Sequence, residues 1–269
     1  MPAKPHKRVC GVTKKELDLG REALDYLISR TKEDPFFLVT TCVHAGHIPY
    51  TYNQQFAEIM MEMPDELRRK LTDEKFAYEF LSKQWVDGYR GASHAKQVAP
   101  IVAKAARCYY ATCFGDSKKE GCKTERDLWE LVACLDDIKG IGNKMLNLFL
   151  EYIGDSDAVA IDRHIGDFMC NDLEVYCPPK GVFKKGKSIP DKMYRDMIEI
   201  FRTTSEECGL EPAHLQVSAW AKKACEARMK ATKMPRKRVL YLGRGKVLDC
   251  NVYNPKQRTL KEWKEEHWE

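Results

Sequence analysis

The sequence has eleven cysteines but not one C-x-x-C pair. Most structural zinc sites use that spacing, so a zinc ribbon or finger has no footing here. The count is odd, and Cys42 and Cys134 sit inside apolar runs, where a thiol behaves as a small hydrophobe. Reduced, structural thiols are therefore expected. No apolar run approaches the roughly 18 residues of a membrane span. The opening segment, MPAKPHKRVCGVTKKELD, lacks the apolar core of a secretory leader. The expectation is a cytosolic or nuclear protein, not secreted and with no membrane partner. There is no internal repeat. Strand-like and helix-like segments do not alternate, which argues against a parallel α/β sheet.

What is present is helix after helix. Apolar residues make up 43% of the chain and charged residues 32%, enough apolar content in 269 residues for one large or two modest cores. TKKELDLGREALDYLISRTK has apolar positions at Leu17, Leu19, Ala23, Leu24, Leu27 and Ile28, and Thr13 with Glu16 forms a capping-box pattern. DPFFLVTTCVHA could be a strand by periodicity, while its length and flanks also fit a buried helix begun by Asp34-Pro35, and Gly46 and Pro49 end it. Five further helical segments lead to Leu135, with Pro100 marking a first turn or a kink in one of them. DKMYRDMIEIFRTTSEECGL ends at Gly209, the residue type favoured just past a helix. Pro212 opens another helix. RKRVLYLGRGKVLDCNVY changes texture and reads as a short β-hairpin. The fold class expected is mainly α, with a short C-terminal β-hairpin.

The net charge of +5 is mild but uneven. Lys184 to Lys187 and Lys222 to Val239 are locally basic, which suits either an anionic partner or a solvated surface. A sharper signal is IKGIGNK. Gly140 and Gly142 permit a tight turn between two helices and close approach to another surface. The first N–H groups of the second helix lack intrahelical partners and carry the positive end of its dipole. Leu135, Ile138, Met145, Leu148 and Phe149 frame the turn, so that Ile141 can pack between the helices. This is a helix-hairpin-helix pattern, which grips a nucleic-acid backbone without reading bases. A plain helix–helix turn has the same glycines.

The wider stretch, LDDIKGIGNKMLNLFL followed by AVAIDRHI, resembles the helix-hairpin-helix–Gly/Pro–Asp superfamily of DNA glycosylases, which includes endonuclease III and the 8-oxoguanine glycosylases. In bifunctional members a lysine follows the turn where Lys144 stands, and an aspartate follows at the spacing of Asp162. The likeness runs more weakly from Asp34 to Trp220. It implies two helical domains flanking a DNA-binding cleft. Residues 1–40 and 163–235 would form one domain. Residues 41–162 would form the other, with the hairpin at about 130–150, and 236–269 would be an extension.

The resemblance also implies duplex DNA with a damaged or modified base as partner, a monomer, and no cofactor or metal. Lys144 would attack C1′ of the damaged nucleotide and Asp162 would be the assisting carboxylate. Asp162 also fits an N-cap of the helix that follows it, and Lys144 fits a phosphate contact. Lys139, Gly140, Gly142, Asn143 and His164 would hold the DNA backbone. An oxidised purine such as 8-oxoguanine is the favoured lesion. A monofunctional glycosylase and a non-catalytic DNA-structure binder are the alternatives.

The chain departs from the pattern in places. Gly46 stands where relatives carry a glutamine that fills the gap left by the extruded base, so His47 or Tyr50 is the candidate for that role. The four-cysteine set of iron–sulfur relatives is missing. Gln216 stands where some 8-oxoguanine-type relatives use an acidic residue in the base pocket.

Overall fold

The computed structural model describes residues 9–45, 50–86, 89–90, 92–115, 121–183, 189–231, 239–243 and 246–250. The fold is mainly helical. Helix α1 (Lys14–Glu33) opens with the capping box read from the sequence: Thr13 accepts from the Glu16 N–H, and Glu16 accepts in return from the Thr13 N–H. Helix α2 (Phe36–Thr41) is short and wholly buried, and a 3-10 turn, Cys42–Ala45, extends it. Helices α3 (Tyr50–Met61), α4 (Asp65–Lys70) and α5 (Glu74–Lys83) follow. A two-residue ribbon pairs β1 (Trp85–Val86) with β2 (Tyr89–Arg90).

Helix α6 (Ala92–Phe114) is long and carries Pro100 inside it. Helices α7 (Glu125–Asp136) and α8 (Asn143–Ile153) flank the glycine turn, and α9 (Arg163–Asn171) starts at Asp162. Helices α10 (Asp191–Glu207) and α11 (Pro212–Ala231) meet at Gly209, whose φ of 68° is the left-handed turn expected there. Strands β3 (Val239–Gly243) and β4 (Lys246–Asp249) form the antiparallel hairpin read from the sequence.

Two cores position the site. The first gathers Phe36 to Val39 with Phe56, Met60, Leu81, Val102, Leu131 and Phe149, and so joins α2, α3, α5, α6, α7 and α8. The second gathers Val159, Ile161, Ile165, Phe168, Met197, Phe201 and Leu215 around α9, α10 and α11. Ala23 and Leu24 pack on Ala213 and Val217, which closes α1 onto α11. That contact depends on Gly20. A Cβ there would sit 2.7 Å from the Ser218 Cα, a backbone atom that cannot rotate away. Gly20→Ala is expected to destabilise the fold by about 1–3 kcal/mol, because the overpacking outweighs the helix-propensity gain. A urea unfolding midpoint lower than that of the native chain would show it.

The expectation of reduced thiols is corrected. Ten of the eleven cysteines are paired: Cys10–Cys208, Cys108–Cys134, Cys113–Cys122, Cys170–Cys177 and Cys225–Cys250. Cys42 alone remains a thiol, buried in the first core. The partners are far apart in sequence or lie on different elements, so a search for C-x-x-C spacing could not find them. Part of the basic run is also not a free surface. Lys222 and Lys223 are buried against Asp172 of the α9 end, at 2.7 and 2.5 Å, and Lys223 also meets Asp167. These lysines tie α11 to α9.

No helix among the described residues is long and apolar enough to cross a membrane. The segment Arg236 to Arg238 and the terminal run after Cys250 lie outside the described residues.

Candidate active site

The glycine turn is built as the sequence implied. Ile138, Lys139 and Gly140 form the bend, with the Ile141 N–H donating to the Ile138 carbonyl at 2.9 Å. Gly140 has φ 110°, and a Cβ there would meet Ile101 Cδ1 at 2.8 Å, so both conformation and space call for glycine. Ile141 is buried among Leu135, Ile138, Met145 and Phe149, which pins the two helices together. Gly142 begins α8 without a side-chain cap and faces open space. The first N–H groups of α8 thus face outward at its positive end. Lys139 is exposed on the bend. The Asn143 amide donates to Asp191 of α10 at 3.1 Å, so this side chain braces the turn against the second core. Gly140→Ala is expected to cost about 1–3 kcal/mol through strain at positive φ and to weaken duplex binding. A melting curve and a binding isotherm would check the two effects.

Asp162 caps α9. One oxygen accepts from the His164 N–H at 2.7 Å and from the Ile165 N–H at 3.1 Å. The other oxygen lies 3.9 Å from the Lys144 ammonium. The cap and the partnership with Lys144 therefore coexist on one carboxylate, each using its own oxygen. Lys144 is 46% exposed and Asp162 16%. Nearly half of the Lys144 side chain is thus in water, although it stands on the largely apolar helix α8. His164 is half-buried, and burial lowers its pKa below the usual range, partly countered by Asp162.

The two residues open onto one basin. Helix α1 supplies Ala23 and Leu27 to its wall, and α8 supplies Lys144, Leu148, Glu151 and Tyr152. The Ala160–Asp162 segment and Gln216, Val217 and Trp220 of α11 complete it. His44 enters from the turn after α2, with Nε2 at 3.3 Å from the Gln54 side-chain oxygen. Burial, and then the Lys144 charge, lower its pKa to about 3, so the ring is neutral in the physiological range. The segment itself is held firmly. The Ile161 N–H donates to the Tyr194 hydroxyl at 3.0 Å, and the Val159 N–H donates to Asn147 at 3.3 Å.

The floor is formed by Glu151 and Gln216, both nearly without solvent contact. They bracket one peptide residue. The Ala160 N–H donates to one Glu151 oxygen at 2.8 Å, and the Gln216 amide donates to the Ala160 carbonyl at 3.1 Å. The second Glu151 oxygen and the Gln216 oxygen are buried with no hydrogen-bond partner among the described residues.

Sequence reasoning named Gln216 and Trp220 but missed Glu151 and His44. A signal existed for Glu151. It stands seven residues after Lys144, two turns along the same face of one helix. Of the two gap-filling candidates, His47 lies outside the described residues. Tyr50 begins α3, and its side chain also lies outside them. No group of three or more metal-ligating side chains occurs among the described residues.

Comparison with known proteins gives one partial likeness. The chain is 31% identical over 127 residues to an 8-oxoguanine DNA glycosylase/AP lyase of Aquifex aeolicus (strain VF5). The matched part is 47% of this chain and 53% of the relative, so the likeness spans about half of each. No family model matches the chain, and no solved structure does.

Proposed function

We propose that this protein is a bifunctional DNA glycosylase/AP lyase acting on a damaged base in duplex DNA. The observation that carries this reading is the placement of one lysine and one carboxylate 3.9 Å apart at the mouth of a basin, beside an uncapped helix start on a glycine turn. Extruding a base from the stack would put its sugar at the mouth and the base inside. The sugar becomes cation-like as its C1′–N bond breaks, and the Asp162 carboxylate stabilises that charge. The Lys144 amine attacks C1′ once it is neutral, and the carboxylate beside it accepts its proton. The adduct opens to a Schiff base, and β-elimination expels the 3′ phosphate and nicks the strand.

Lys139, Gly140 and Gly142 hold the backbone next to the extruded nucleotide. Lys139 supplies charge, and the turn supplies outward N–H groups. Asn143 and His164 support the same contact from either side. The two helical cores are the two lobes of the cleft, and the protein acts as a monomer on duplex DNA. An oxidised purine such as 8-oxoguanine is the favoured substrate, in keeping with the name of the partial relative. Trp220 offers an aromatic face, and the Gln216 oxygen an acceptor, for such a base.

The test is a nicking assay on duplexes that each carry a single lesion. The native chain is expected to excise the base and cut the strand. Lys144→Gln should lose both activities by about a thousandfold or more while still binding the duplex. Undiminished cutting by Lys144→Gln would refute the assignment.

A further inference from the structure

The basin has an exposure gradient. Lys144 is 46% exposed at its mouth, whereas Glu151, two turns further along α8, is 1% exposed at its floor. A carboxyl group this enclosed needs several donors or a cation to persist as an anion. Among the described residues Glu151 has one donor, the Ala160 N–H, and its other oxygen has no hydrogen-bond partner. The Arg, Lys and His side chains give it no salt bridge among the described residues. Burial first, and then the negative charge of Asp162, push the carboxyl well above its usual range, against the weaker pull of the Ala160 N–H and Lys144. Its enclosure and its single N–H donor thus favour the protonated acid, which presents an O–H donor at the end of the basin where an extruded base would lie.

We propose that Glu151 delivers a proton to the extruded base as its bond to C1′ breaks. The inference rests on the glycosylase reading of the basin. In this step the Lys144 nitrogen forms a bond to C1′ while the C1′–N bond to the base breaks. The base leaves with the electron pair, and the Glu151 O–H proton neutralises it. The new ammonium on Lys144 gives its extra proton to Asp162. Glu151 regains a proton from water when the base departs. An abasic site has no base to lose, so the lyase half of the reaction has no use for Glu151. This split separates a proton donor from a residue that merely holds the fold.

The experiment compares the native chain, Glu151→Gln and Glu151→Met in single turnover. One duplex carries 8-oxoguanine, a panel carries other single oxidised or deaminated bases, and one duplex carries a preformed abasic site. Glutamine keeps an acceptor for the Ala160 N–H but has no proton to transfer, and methionine fills the space without polar atoms should glutamine fold poorly. Both variants are expected to excise the base about a hundredfold more slowly or worse, and Glu151→Gln, which keeps the Ala160 contact, to nick the abasic duplex within about threefold of the native rate. Native-rate excision by either variant would overturn the proposal. Equal loss on both duplexes in Glu151→Gln would overturn it too, since it would mark a structural role. A native chain that nicks the abasic duplex but excises no base from any duplex would instead refute the glycosylase reading, and the proposal with it.

Discussion

Asp162→Asn is expected to slow base excision by about a thousandfold while leaving the protein folded. The carboxylate performs two tasks with separate oxygens, and asparagine keeps only one of them. As a helix N-cap, asparagine is about as good as aspartate, so the His164 and Ile165 N–H groups stay satisfied. The loss of charge costs a few tenths of a kcal/mol to about 1 kcal/mol at the helix dipole. The charge facing Lys144 disappears entirely. A preorganised group of that kind is worth about 10²–10³ in rate, and the loss of a proton acceptor adds to it. Asp162→Ala removes the cap as well, so it should show the same catalytic loss with about 1 kcal/mol less stability. Duplex binding should persist in both variants or tighten, because a negative charge near phosphate has gone. Single-turnover kinetics and melting curves on the three proteins separate the two tasks. Equal rates for Asp162→Asn and the native chain would leave Asp162 as a cap alone.

The second large effect concerns the sulfur atoms. Five disulfides use ten of the eleven cysteines. Cys10–Cys208 closes a sequence separation of 198 residues, against 7 to 26 for the other four. In the chain-entropy account the longest loop restrains the unfolded chain most, and removing one native bridge costs about 2–5 kcal/mol. Cys10→Ser with Cys208→Ser should therefore lower stability by that amount. Full reduction of the native chain should lower its melting temperature by well over ten degrees, on the basis of roughly 2–4 °C per kcal/mol at this size. Thiol titration of the denatured, unreduced protein is expected to find one thiol, Cys42, and eleven after reduction. Eleven thiols before reduction would show the bridges to be absent in solution.

Local chemistry was legible in the sequence wherever one short segment decides the outcome. Thr13 with Glu16, Pro212, Gly209 and Gly140 each mark a boundary or a bend that the fold realises, because caps and positive φ are set by neighbours in the chain. Lys144 and Asp162 were legible as a pair through the resemblance of their segment to the glycosylase superfamily, and the fold brings the ammonium and the carboxylate 3.9 Å apart. What depends on distant elements was not legible. Glu151 lies in a basin whose wall is completed by residues of α1 and α11, far from it in sequence. His44 reaches Lys144 from a turn a hundred residues earlier in the chain. Lys222 and Lys223 look like part of a basic surface run until α9 brings Asp167 and Asp172 to them. The disulfides follow the same rule, for only the packed fold brings Cys10 beside Cys208.

The central claim is that the Lys144 amine becomes bonded to C1′ of the damaged nucleotide. Borohydride reduces a Schiff base to a stable amine, so a reaction of the native chain with lesion duplex and borohydride, digested and sequenced by mass spectrometry, locates the bond. The account predicts a single DNA-bearing peptide, modified at Lys144, that vanishes in Lys144→Gln. An adduct at another amine, or an abasic product formed with no adduct at all, would contradict it.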